Sequence, residues 1–158
     1  MVKIYDLKDK PLYLDTIVKW IFNEWGGNYD YIRSCINCSI ISEVIPKTFV
    51  AEVNGECAGC ISILRCDLQS RQDLYPWLGD LFVNPKYRNK GIGTYLIEYS
   101  LSRVIEYINC TYIYMYTLIA EYYEKRGWVY IENVYNSKGE IFRLYKHAIT
   151  KTSPALIN

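Results

Sequence analysis

Seven consecutive residues, Arg88-Asn89-Lys90-Gly91-Ile92-Gly93-Thr94, place two cations and two glycines directly ahead of a helical apolar stripe, Ile92, Leu96, Ile97, Leu101 and Val104. This is chemistry for an anion. The first turn of a helix carries backbone N–H groups with no partner inside the helix, together with the positive end of the helix dipole. Glycine leaves such groups without a shielding Cβ, and Lys86, Arg88 and Lys90 add positive charge around them. The run therefore favours a polyanion such as a pyrophosphate. Ahead of it, Leu81-Phe82-Val83 is an apolar strand-type run, and Pro85 stops it by withholding a backbone donor. A basic glycine turn alone is common and usually just solvated. Here strand end, proline, Arg-x-x-Gly-x-Gly and amphipathic helix follow one another in a single run, which a merely solvated turn does not require. It is not a Walker loop, which needs Gly-Lys-Ser/Thr, nor a Gly-x-Gly-x-x-Gly fingerprint, because no third glycine follows.

The run resembles the acetyl-CoA-binding motif of the GNAT N-acetyltransferase family, Arg/Gln-x-x-Gly-x-Gly/Ala after a strand. Two further stretches are similar to that family: Tyr122-Tyr123-Glu124-Lys125-Arg126-Gly127-Trp128, which matches a Phe/Leu-Tyr-Glu-Lys-x-Gly-Phe/Trp element, and the Pro76-Trp77-Leu78 entry into the motif strand. The resemblance spans about residues 3 to 148. It implies an α+β fold with a central mixed sheet of about seven strands and helices on both faces. It also implies transfer of an acetyl group from acetyl-CoA to a primary amine of a small molecule, polyamine, aminoglycoside-like or amino-acid-like. By resemblance, Leu81, Phe82 and Val83 pair through their backbone with the pantetheine arm, and Arg88, Asn89, Lys90, Gly91, Ile92, Gly93 and Thr94 cradle the pyrophosphate. There is one departure. Tyr116 stands where many members place an asparagine that contacts the same arm.

The implied reaction needs two proton movements. A primary amine with a pKa of about 10 is no nucleophile until something accepts its proton, and the leaving thiolate, from a thiol of pKa about 8.5, is best protonated as it departs. Tyr123 matches the motif tyrosine that serves as general acid in several family members; the alternative is a packed tyrosine in a chain with seventeen of them. Asp80, beside the cofactor motif where some polyamine-acetylating relatives carry an acidic residue, is the candidate base. A solvated strand-edge carboxylate with a water chain as base is its alternative. Glu24 and Trp25 close the first long helix and are candidates for the acceptor mouth. His147, the lone histidine, suits a surface role.

Composition bounds these expectations. With 158 residues, 51% of them hydrophobic, the chain supports one domain over 1–150 with a disordered tail over 151–158. A formal net charge of +1 gives no electrostatic reason to expect nucleic acid or an anionic membrane as partner. The amino terminus alternates like a strand and lacks a signal-peptide apolar block, so a cytoplasmic protein is expected, with a homodimer left open. Cys35-x-x-Cys38 and Cys57-x-x-Cys60, eighteen residues apart, fit zinc-ribbon spacing and define a competing zinc-binding module. Against it, positions three apart on a strand face opposite ways, which separates Cys57 from Cys60. Cys35 and Cys38 read as buried helical thiols, so no metal is expected. A third possibility is a noncatalytic acyl-CoA-sensing or interaction module of the same fold.

The elements that must position these residues follow in order. A strand over Lys3–Leu7 leads to a helix from about Asp9 to Trp25, and a second helix spans Tyr29 to about Ile40. Thr48–Val53 and Cys60–Leu64 are strands joined by the hairpin signal Asn54-Gly55. Asp67–Asp73 is polar and turn-like, and the strand ending at Val83 and the long helix follow. Thr111–Tyr116 alternates, with Tyr112, Tyr114 and Tyr116 on one face and Ile113 and Met115 on the other. A short helix over Ala120–Arg126 ends at Gly127, and strands over Trp128–Ile131 and Ile141–Tyr145 close the fold. The order βααβββαβαββ sets a strand–helix–strand crossover among antiparallel strands.

Overall fold

The computed structural model describes residues 1–151. The tail expected over 151–158 lies, from residue 152 on, outside the described residues. The elements are β1 (Val2–Asp6), α1 (Leu14–Trp25), α2 (Tyr29–Ile41), β2 (Lys47–Val53), β3 (Glu56–Leu64), β4 (Trp77–Val83), α3 (Ile92–Tyr107), β5 (Tyr112–Thr117), α4 (Glu121–Glu124), β6 (Val129–Tyr135) and β7 (Ile141–Ala148). They form one seven-stranded sheet in the order β1-β2-β3-β4-β5-β7-β6. Neighbours are antiparallel except β4 and β5. No helix among the described residues is long and apolar enough to cross a membrane.

The first helix starts later than its composition suggests. Lys10, at φ −132, breaks the segment into two 3-10 turns over Leu7–Asp9 and Pro11–Tyr13, and α1 begins only at Leu14. From there Leu14, Ile17, Val18 and Ile21 form the buried stripe, which packs with Ile36 of α2 on Val50, Cys57 and Cys60 of the sheet. On the opposite face, Leu96, Ile97 and Val104 of α3 pack on Phe49, Ala58, Ile61 and Ile63. Each such fully buried aliphatic side chain contributes about 1.5–3 kcal/mol. Together the two layers enclose β3 and β4.

Backbone signals settle the connections. Asn54 and Gly55 both take positive φ, 51 and 78, the combination that a two-residue hairpin with matching twist requires. Asn28 caps α2 by accepting from the Tyr31 N–H at 2.9 Å. In β5, Ile113 and Met115 face the α3 layer, while Tyr114 and Tyr116 pack around Trp77 and Leu144.

Two expectations about the cysteines are overturned. The β2–β3 register passes from Glu52↔Cys57 to Ala51↔Gly59, so β3 carries one extra residue. This bulge resets the alternation, and Cys57 and Cys60 lie on the same face, both in the α1/α2 layer. Cys35 and Cys38 are exposed, because α2 turns Ile36 and Ser39 toward the core instead. Among the described residues, no three His, Cys, Asp or Glu side chains gather as a metal site would need.

Candidate active site

The parallel strands β4 and β5 share one paired position, Trp77 with Tyr114, and then part. The cause lies on the other edge of β4. Between Cys60↔Phe82 and Ser62↔Gly79, β4 carries an extra residue against β3, and Asp80 sits there in the left-handed region at φ 55. A bulge bends its strand and aims a side chain. Beyond it, the β5-facing backbone of Leu81, Phe82 and Val83 has no strand partner among the described residues. An extended ligand can pair there as an added strand.

At the end of this open edge lies the glycine turn. Asn89 and Gly91 take φ of 60 and 77, and Gly91 is the N-cap of α3, whose first N–H groups receive no side-chain cap. A Cβ built on Gly91 would meet nothing within 4 Å, so the approach to the helix start is open. Arg88 is fixed beside it: its Nε donates to the Val83 carbonyl at 2.9 Å, and its guanidinium lies 5.5 Å from the centre of the Phe82 ring. Lys86 is drawn elsewhere, its Nζ 2.6 Å from Glu56 Oε2, which also accepts from the Tyr87 hydroxyl. The Thr94 and Tyr122 hydroxyls bond to one another and tie the turn to α4. Gly93 packs beside Val83, and Ile92 is buried in the core. An uncapped sixteen-residue helix with Arg88 and Lys90 at its start suits the pyrophosphate of coenzyme A.

Where β4 and β5 part, a narrow cavity of about 20 Å³, room for one water, is lined by Leu78, Gly79, Leu81, Ile97, Met115 and Tyr123. Tyr123 is only 6% exposed. Burial, reinforced by Tyr122 and opposed by Arg126, pushes its phenol up to about 12. It therefore keeps its proton at neutral pH and can act there as a donor.

On the α1/α2 side a larger cleft of about 550 Å³ opens, with Ile21 and Tyr31 on one wall and Leu64, Asp67 and Asp80 on the other. Burial raises the Asp80 carboxyl above its ordinary range, against an opposing hydrogen bond from Ser62. The Ser62 hydroxyl in turn pairs with Thr48 at 2.9 Å. Asp67 is raised to about 7, first by burial and then by the charge of Asp80. Its carboxylate lies so close to β4 that a Cβ on Gly79 would stand 2.6 Å from its Oδ2. Tyr116 is pushed up to about 12 by burial and by these two carboxylates.

The structure thus brings Asp80 to the cleft wall, Tyr123 to the cavity at the strand split, and the residues from Leu81 to Thr94 along one continuous path. Glu24 and Trp25 are exposed at the end of α1, and neither lines the cleft. His147 packs its ring edge-on to Trp128 at 5.2 Å. Asp67 escapes sequence reasoning because it opens a segment that reads as a polar turn. The available signal was Gly79, since a glycine inside a strand marks the close approach of another group.

A family model described as an acetyltransferase (GNAT) domain matches residues 46–130, more than half of the chain. None of the curated proteins compared with the chain matches it. Among solved structures, aminoglycoside 6'-acetyltransferase type Ii aligns with TM-score 0.70 and 19% identity, over 96% of this chain and 99% of that one. An aminoglycoside 6'-N-acetyltransferase complexed with coenzyme A aligns with TM-score 0.69 and 16% identity, over 96% and 98%. A GNAT-family acetyltransferase from Streptococcus pneumoniae gives TM-score 0.68 and 16% identity, over 95% and 100%. At such identities the likeness to these structures is one of fold.

Proposed function

The chain belongs to the GNAT acetyltransferase family, and on that footing we propose that it acetylates the primary amine of a small cationic acceptor held in the cleft. One observation supports this reading above the others. Gly79 and Leu81 line the cavity at the strand split, and Asp80 between them lines the cleft, so acyl donor and acceptor sites meet at consecutive residues of β4.

Acetyl-CoA, the co-substrate of the family, supplies the activated acyl group as a thioester. The glycine turn holds its pyrophosphate, and the free backbone edge of Leu81–Val83 aligns the arm toward Tyr123. The cleft carboxylates attract the acceptor as its ammonium ion. Asp80 receives the ammonium, and the cleft carboxylates, directly or through water, take one proton from it, which frees the nitrogen lone pair. As the nitrogen–carbon bond forms and the carbon–sulfur bond breaks, Tyr123 gives its proton to the sulfur; the acylated nitrogen releases its second proton to water, and Tyr123 recovers one from solvent.

Amines that suit two carboxylates carry more than one charge. Aminoglycosides and spermidine, the substrates named for similar structures, are therefore the first members of an acceptor panel, followed by monoamines and amino acids. Thiol release with acetyl-CoA, confirmed by the mass of the acetylated amine, tests the proposal. Release with at least one polycationic amine is expected. Coenzyme A binding with no turnover across the panel would favour a noncatalytic acyl-CoA-binding module instead.

A further inference from the structure

We propose that Asp67 is the proton-holding partner of Asp80: the proton surrendered by the acceptor ammonium comes to rest on Asp67, while Asp80 stays ionised and anchors the amine. This rests on the acetyltransfer reading above and adds to it a residue and a division of labour.

The geometry begins at Gly79. That residue tolerates no side chain because the Asp67 carboxylate occupies the space, with Oδ2 2.6 Å and Cγ 2.9 Å from where a Cβ would be. The bulge places Asp80 at the next position, and both carboxylates line the same cleft. Two carboxyl groups so placed do not ionise independently; the first charge opposes the second, and the pair titrates in two steps. The groups around them sort the two roles. Ser62, itself bonded to Thr48, stabilises the charged form of Asp80. Asp67 has burial and the Asp80 charge acting on it, both in the direction of the protonated form.

The other titratable groups facing the pair are thiols, phenols and one guanidinium. The Cys60 thiol behind Asp80 is raised by burial and by Asp80, and the Tyr116 phenol by burial and by both carboxylates. On the cleft wall stand the Cys35, Cys38 and Cys66 thiols, the Tyr31 phenol and the guanidinium of Arg65. The chemical benefit follows from matching. An ordinary carboxyl near 3.9 is about six units below an ammonium near 10, whereas one near 7 halves that gap. The step balances as R–NH₃⁺ plus Asp67 carboxylate giving R–NH₂ plus Asp67 carboxylic acid, and the proton returns to water after each turnover.

Carboxyl carbons labelled in the aspartates allow the pair to be titrated by NMR in the free protein, without any substrate. The parent should show one aspartate step near pH 7; Asp67→Asn should remove it, and Asp80→Asn should shift it to lower pH. With an amine that the parent acetylates, Asp67→Asn should lower kcat about 100-fold, leave the amine KM within about threefold, and erase the acidic limb of the kcat profile near pH 7. Asp80→Asn should instead raise the amine KM. A near-neutral step that survives Asp67→Asn, or an acidic limb unchanged in that variant, overturns the proposal while acetyl transfer stands. A near-neutral pair in a protein that acetylates no amine overturns the acetyltransfer reading, and the proton-holding role falls with it.

Discussion

The glycine turn follows the end of β4, the carboxylate cleft opens at the bulge in the middle of that strand, and the two are built in opposite ways. The turn is local: Arg88 to Thr94 are contiguous, their φ angles and the start of α3 follow from their own residue types, and what they present is backbone N–H groups and cationic side chains. The cleft is tertiary. Asp67 comes from the loop after β3, Asp80 from a bulge in β4, and Tyr31 from α2, and they acquire their properties only when packed together. Binding a phosphate needs exposed donors that solvent already surrounds, whereas taking a proton from an ammonium near neutral pH needs a carboxylate moved off its ordinary pKa. The second requires burial, and burial is made by the fold.

This contrast can be broken by experiment. Tyr123→Phe, between the two regions, should lower kcat by about 100-fold near neutral pH with coenzyme A affinity unchanged, since the ring still fills its place and only the proton donor is lost. The deficit should shrink above about pH 8.5, where a free thiolate becomes an acceptable leaving group. A kcat profile equal to the parent's at every pH would make Tyr123 a packed tyrosine.

Arg88→Ala should weaken coenzyme A binding by about tenfold, less as salt rises, because one exposed charge near a phosphate is screened over about 10 Å. The amine KM should not move. Titration calorimetry at two salt concentrations checks this.

Asp67→Asn sharpens the comparison through stability. A carboxyl raised from 3.8 to about 7 in the folded state binds its proton more tightly when folded, so the parent loses stability as pH climbs from about 4 to 7. The variant escapes that loss. It should be more stable than the parent by about 2 kcal/mol at pH 8, about half the full linkage value because water enters the cleft, and equal to it near pH 4. Urea melts at the two pH values measure the difference, and an equal or lower stability at pH 8 contradicts it. The smallest effect concerns the thiols. Cys35 and Cys38, exposed on α2, should react with a thiol reagent ahead of buried Cys57 and Cys60, and a chelator should leave the melting temperature unchanged.

The same division explains what could be read in the sequence. The hairpin at Asn54-Gly55, the alternation of β5, the left-handed Gly127 and the glycine turn are all specified within a few residues, and each is where its residues say it should be. The bulge that brings Cys57 and Cys60 to one face depends on how β3 meets β2, and no pattern within β3 announces it. The exposure of Cys35 and Cys38 depends on which face of α2 meets α1 and the sheet. In the sequence Asp67 is one of several polar residues between strands; its neighbours in space, Gly79 and Asp80, are more than ten positions away.

Titration calorimetry of acetyl-CoA into the parent, Gly91→Asp and Asp80→Asn tests the account most directly. Gly91→Asp adds a negative charge at the helix start without touching the core, since space above that residue is open. It should abolish binding with its melting temperature within a few degrees of the parent's, while Asp80→Asn binds acetyl-CoA as the parent does. Undiminished binding by Gly91→Asp, or equal loss in both variants, would contradict a cofactor site at the glycine turn that stands apart from the acceptor cleft.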